Sequence, residues 1–190
     1  MKPLLTLLIL IIICTGLFAQ KITKQEKGYF NLTELGYHAA GSIVKETIFG
    51  GNEDPSNPGW GISVKNINGI FVNNNLSLGI GIGLDSYGFK NGNSDAYAGF
   101  TTLPIFGDLR YYLKNKANTF FAYGDLGSSV AISDGFSRGL LYNIGIGYKF
   151  KVIPHLGMTA SACYNFQAIN DNYSPDRQIR SLILKLGILL

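Results

Sequence analysis

The chain has 190 residues, a formal net charge of +4, 46% hydrophobic and only 15% charged residues. Its basic residues form neither a stripe nor a recognition motif, which weighs against a nucleic-acid partner. Beyond the first residues no stretch of about 18 apolar residues occurs, which excludes a bundle of membrane-spanning helices.

Residues 1–19 read as a secretory signal: Lys2 supplies charge, Leu4 to Ile13 an apolar core, and Gly16-Leu17-Phe18-Ala19 precedes a cut before Gln20. The apolar run is shorter than the roughly 20 residues of a spanning helix. Ile11, Ile12 and Ile13 stand before Cys14 where a lipoprotein signal has small residues, so acylation is not expected. Losing Lys2 takes the charge from +4 to +3. Residues 20–27, with Lys21, Lys24 and Lys27, form an N-terminal tail, and residues 28–190 one domain with no linker inside it. Cys163 is then the remaining cysteine, so no intrachain disulfide can form.

Eight alternating segments follow. The first, Tyr29 to Ala40, sets Thr33, Leu35 and Tyr37 against Glu34, Gly36 and His38. The second, Trp60 to Val72, sets Trp60, Ile62 and Val64 against Gly61, Ser63 and Lys65, and its pattern slips around Asn66 to Gly69, where a bulge is expected. The third, Leu76 to Asp85, carries leucine or isoleucine at every even position and serine, glycine or aspartate at every odd one. Strand side chains alternate faces, so this segment has one aliphatic face and one nearly bare one. Such a strand suits a barrel whose aliphatic face meets lipid and whose other face lines a crowded interior.

The fourth, Phe100 to Tyr112, sets Leu103, Ile105, Leu109 and Tyr111 against Pro104, Phe106, Asp108 and Arg110. The fifth, Phe120 to Val130, is less regular, with Ala122, Leu126 and Val130 opposite Tyr123, Asp125 and Gly127. In the sixth, Leu140, Tyr142, Ile144, Ile146, Tyr148 and Phe150 oppose Asn143, Gly145, Gly147 and Lys149. The seventh opposes Leu156, Met158, Ala160, Ala162, Tyr164 and Phe166 to Gly157, Thr159, Ser161, Cys163, Asn165 and Gln167. The eighth opposes Leu182, Leu184, Leu186, Ile188 and Leu190 to Ser181, Ile183, Lys185 and Gly187. Each is close to the roughly 9 to 11 residues that a tilted strand needs to cross a bilayer.

Connections alternate between long polar ones, such as residues 51–59 and 170–176, and short ones, such as Asn73-Asn74-Asn75. Outer-membrane barrels have short periplasmic turns and longer outer loops, and an even strand count puts both chain ends in the periplasm. Tyr29, Tyr111, Phe120, Tyr148 and Phe150 fall at inner strand ends; Tyr37, Trp60, Phe100, Tyr142, Tyr164 and Phe166 fall toward outer ends. Two aromatic belts at two interfaces are the result. The expected fold is all-β: a closed eight-stranded antiparallel transmembrane β-barrel, exported to the outer membrane of a Gram-negative cell. The rival is a soluble lipocalin-like carrier with its aliphatic faces turned inward. That arrangement turns the glycine rows out to water and leaves the belts without a reason.

On residues 28–37, Asn68-Gly69, residues 79–85, residues 103–112, Asp125-Leu126-Gly127 and Gly145-Ile146-Gly147-Tyr148, the chain resembles the small eight-stranded outer-membrane barrels. These are the OmpX, OmpA and opacity-protein class, and the chain is most similar to the general "outer membrane beta-barrel" proteins within it. The resemblance covers the whole mature chain and implies insertion by the outer-membrane assembly machinery, with no catalytic residue carried over. One departure is Leu190, where many relatives end on an aromatic residue.

The segments place Glu34, Asp85, Asp108 and Asp125 on the interior face with Lys65, Arg110, Lys149 and Lys185, four of each sign. Buried charges must pair, and an eight-stranded interior is just wide enough for side chains to fill, so these residues are expected to plug the barrel. Glu34 and Lys185 are expected in one cluster with Asp108, Arg110 and Asp125. A narrow porin or proton path is the alternative. His38, near the outer rim, raises a second alternative, a lipid-modifying hydrolase or acyltransferase with Ser42, Ser86 or Ser129 as nucleophile.

Gly79, Gly81 and Gly83 fail the dinucleotide fingerprint because Leu84 holds its last glycine position. His38 and His155 offer no metal cluster, and Cys163 is an inert lumen filler. Asn31-Leu32-Thr33 and Asn172-Tyr173-Ser174 match a glycosylation pattern by chance. No cofactor is expected. The expected partners are outer-membrane lipids and lipopolysaccharide, with the barrel as a monomer whose four outer loops carry an envelope-structural or surface-interaction role.

Overall fold

A computed structural model of the chain describes residues 28–45, 56–90, 97–132, 138–153, 156–169 and 177–190. The signal, the tail, His155, Asn172 and most outer-loop charges lie outside the described residues. Eight strands run in order: β1 (Gly28–Lys45), β2 (Ser56–Phe71), β3 (Leu76–Lys90), β4 (Tyr97–Tyr112), β5 (Thr119–Ala131), β6 (Arg138–Ile153), β7 (Leu156–Ile169) and β8 (Arg177–Leu189). Each pairs antiparallel with the next, and β8 pairs with β1, closing the barrel.

The two-residue alternation sets which face each residue takes. Outward Ile80, Ile146 and Leu126 are 72%, 70% and 65% exposed, while their inward neighbours Asp125, Phe106 and Asn143 are sealed. So large an apolar surface is untenable in water and is what a bilayer requires. No helix of the described residues is long and apolar enough to cross a membrane.

Register fixes the barrel's shape. Following partners once round from Leu32, through Ile67, Gly81, Phe106, Gly127, Leu141, Gln167 and Ile179, leads back to β1 at Ile43. One of the intervening residues is the extra one that β1 carries between Ala39 and Ser42, which leaves a stagger of ten for eight strands. At a strand tilt of about 45° each hydrogen-bonded row therefore climbs ~3 Å per strand toward the outer end.

The strands differ from expectation in two respects. They run 13 to 18 residues, longer than the bilayer needs, with the excess chiefly at the outer ends. Hairpin ladders continue there beyond lipid, where no alternation of apolar residues marks them. The bulge expected at Asn66 to Gly69 is absent: Asn66 pairs Thr33 and Ile82, and Asn68 pairs Asn31 and Ile80, in continuous register. The pattern slips because asparagines take outward positions there and Ile67 points in, fully buried. Register shifts lie instead in β1 after His38, at the outer end, and between Lys151 and Ile153 of the β6–β7 ladder, at the inner end. In lipid every backbone group must be paired, so ladder faults belong outside it. Pro104 is tolerated within the span, the β3–β4 register being the same on either side of it.

The interior is layered. At the inner end Phe30, Phe71, Tyr112 and Phe121 form a floor, with successive ring centroids 5.1, 5.6 and 5.6 Å apart. Leu32, Ile67 and Leu189 complete it. Above lie charged groups, then amides and hydroxyls. Glycines make room for this filling: a Cβ on Gly81 would stand 2.3 Å from the Phe106 ring. Small residues on β3 thus answer bulky ones on β4.

Candidate functional site in the barrel interior

Arg110 stands at the centre of the charge layer. Its Nη2 lies 3.0 Å from Glu34 Oε1, and its Nε donates to both Asp108 oxygens at 3.0 Å. Glu34 also holds Lys185 (3.4 Å), which reaches Asp125 at 3.6 Å. Lys65 and Asp85 form a separate pair at 3.5 Å. Glu34 faces Gly187 and Gly36 faces Lys185, so a diagonal of one pleat brings the two charges together. The glycines opposite each leave space for the long side chains.

The cations also lie over aromatic rings, of the floor and just above it. Arg110 lies 4.9 Å from the Tyr123 centroid and 5.4 Å from that of Phe121, Lys185 4.7 Å from Tyr123, Lys65 5.4 Å from Phe106, and Lys149 4.9 Å from Tyr112. Aromatic faces carry negative charge density, so each cation has an attractive surface beneath it. All eight of the interior charges expected from sequence are buried, and Arg110 and Asp85 are wholly enclosed.

A second network escaped the sequence reading. From Asp125, Asn143 donates at 2.8 Å; Asn165 donates to Asn143 at 2.7 Å; Ser181 donates to Asn165 at 3.3 Å; and His38 Nδ1 lies 2.9 Å from Ser181 Oγ. Tyr87 donates to Gln167 at 2.8 Å, which donates to Ser129 at 2.6 Å. Four strands supply the first chain, β5 to β8, with β1 closing it. Only the register could have revealed it, because each asparagine alone is an ordinary lumen residue.

The network relocates the serine beside His38. The side chain of Ser42 lies outside the described residues; of the others Ser86 faces outward and Ser129 is held by Gln167, while Ser181, on β8, is a described hydroxyl in reach. Nucleophilic catalysis needs an oriented base and access for substrate. His38 is 1% and Ser181 3% exposed, and among the described residues His38 Nε2 has no hydrogen-bond partner, so none of their carboxylates orients the ring. Tyr87 packs edge-on against it at 4.8 Å instead. Among the described residues no group of three or more His, Cys, Asp or Glu side chains is placed to hold a metal. Cys163 is buried in the wall.

No family model matches the chain, and no curated protein matches it. Solved structures do. The crystal structure of Neisserial surface protein A (NspA) is 16% identical, covers 86% of this chain and 99% of its own, and superposes with a TM-score of 0.57. The outer membrane protein OprG from Pseudomonas aeruginosa is 12% identical over 87% of this chain and 97% of its own, at 0.55. The outer membrane protein AlkL, determined by solid-state NMR in DMPC lipid bilayers, is 11% identical over 90% and 93%, at 0.52. At such identities the likeness is one of architecture, and it agrees with the closure and strand order described above: this chain has the fold of the small eight-stranded outer-membrane β-barrels.

Proposed function

We propose that the protein is an integral barrel of the Gram-negative outer membrane, delivered there by its signal and the assembly machinery. Its interior is structural, and its work is done at the outer loops, in envelope architecture or contact with other surfaces. The observation that carries this is the filling of the lumen: an aromatic floor and a paired charge layer leave Arg110, Phe30, Lys65 and Phe121 with relative exposures below 2%. A barrel with its interior occupied in this way has its outer surface and loops left for function. The enclosed His38–Ser181 pair supports a non-enzymatic reading over the rim hydrolase.

Fractionation and planar-bilayer recording test the proposal together. The protein is expected in the outer-membrane fraction, insoluble without detergent, giving rare or very small conductance steps and no turnover of lipid A. Detergent-free solubility after refolding would restore the soluble carrier, and large uniform steps the porin.

A further inference from the structure

The outward face of β1 and β2 breaks the rule that governs the rest of the barrel. Between Ile70 and Val64 on β2, and before Leu35 on β1, it carries Asn31, Thr33, Asn66 and Asn68 in place of aliphatic residues. Flanking strands are apolar beside it: Ile80 and Ile82 on β3, Ile188 and Leu190 on β8. The polar residues bond one another. Asn31 donates to Asn68 at 2.8 Å and to Asn66 at 3.2 Å; Asn66 donates to Asn31 at 3.1 Å and Thr33 at 2.9 Å; Asn68 donates to Asn66 at 2.8 Å. Tyr29 turns its hydroxyl into the cluster and donates to Asn68.

A carboxamide has two N–H donors and an oxygen with two lone pairs. Those bonds occupy both N–H groups of Asn31 and of Asn66, and both lone pairs of the Asn66 and Asn68 oxygens. Among the described residues one N–H of Asn68 and the hydroxyl proton of Thr33 are left over, both residues half-buried on the outward face. Lone pairs are left over as well, on Asn31 Oδ1, Thr33 Oγ1 and the Tyr29 hydroxyl, so the island offers donors and acceptors alike. Acyl chains offer its two spare protons nothing. An ester carbonyl is an acceptor only.

Depth points the same way. The row through Asn31 reaches Gly107 on β4. Three strands of stagger carry it ~9 Å outward, and the four residues from Gly107 to Tyr111 return about the same distance. Asn31 thus stands level with Tyr111 in the inner aromatic belt, and Asn68 ~3 Å nearer the bilayer centre. Belt rings mark the headgroup level, so the island lies where the glycerol-ester linkage begins.

We propose that this face seats the glycerol-ester linkage of an inner-leaflet phospholipid, with Asn68 and Thr33 as donors to its carbonyls. The proposal rests on the barrel spanning a membrane, which co-flotation of the full-length protein with vesicles reads separately. Native mass spectrometry of protein floated with diester phosphatidylethanolamine, or with its diether analogue, tests the seat. The unaltered protein is expected to retain the diester lipid about five-fold better, the worth of one hydrogen bond near 1 kcal/mol. Asn68→Leu is expected to abolish the preference while still floating. Equal retention of the two lipids by floated, unaltered protein would overturn the proposal. So would a species of twice the protein mass that excludes lipid and is lost in Asn68→Leu, because a second copy would then occupy the face.

Discussion

Arg110 holds two carboxylates, Glu34 and Asp108, while Lys185 shares Glu34 with it and reaches Asp125, which also has Asn143. The two cations are therefore unequal. Arg110→Met strands Asp108 and weakens the hold on Glu34, and is expected to cost about 3–5 kcal/mol; Lys185→Met is expected to cost less. In denaturant unfolding from lipid vesicles, Glu34→Leu with Arg110→Met should cost less than the two changes summed, and a coupling near zero would show that the pair is not formed. Gly81→Ala should lose about 1–3 kcal/mol by driving a Cβ into the Phe106 ring, and Phe106→Leu in the same chain should recover part of it. An unimpaired Gly81→Ala would show that the ring has room to move. At this scale the faces were legible from alternation alone, except on β2 between Asn66 and Gly69. Partners were not: Ser181 beside His38 and the Asn143–Asn165 link depend on register across four strands, and no local pattern encodes that.

Strand by strand, the lipid-facing rows make a depth test. Ile80→Arg or Ile144→Arg places charge near the middle of the bilayer and is expected to cost about 2–4 kcal/mol, whereas Asn115→Arg in the exposed inner turn should cost almost nothing. Equal small effects in unfolding measurements would contradict the assignment of faces. The strands' existence was legible because lipid demands a nearly unbroken aliphatic row. Their outer ends were not, because pairing beyond lipid is free of that demand and polar residues continue the ladder unmarked. β2 misled for a related reason. Two outward asparagines, Asn66 and Asn68, imitate a bulge when β2 is read alone, and resolve into a cluster once Asn31 and Asn68 stand side by side.

For the whole molecule, closure depends on the β1–β8 seam. Leu35 and Leu186 are direct partners on the outer face of that seam. Cysteines at both positions are expected to cross-link in the folded protein, seen as a mobility shift reversed by reductant; Cys163 is buried in the wall and does not compete. Failure to cross-link in correctly inserted protein would mean that the sheet is open. The closed eight-strand architecture was legible from strand count and loop asymmetry. The stagger of ten was not, since it is a property of the ring and of no single strand.

The long outer strand ends have a mechanical consequence. From Tyr37, in the outer belt, β1 continues to Lys45, where it still pairs Arg177. Those eight residues amount to roughly 20 Å of height at the barrel's tilt. The loops are thus carried on a stiff parapet well clear of the lipid headgroups. Anything that grips them is held at arm's length from the bilayer, and it can pull or tilt the barrel as a lever without touching the membrane.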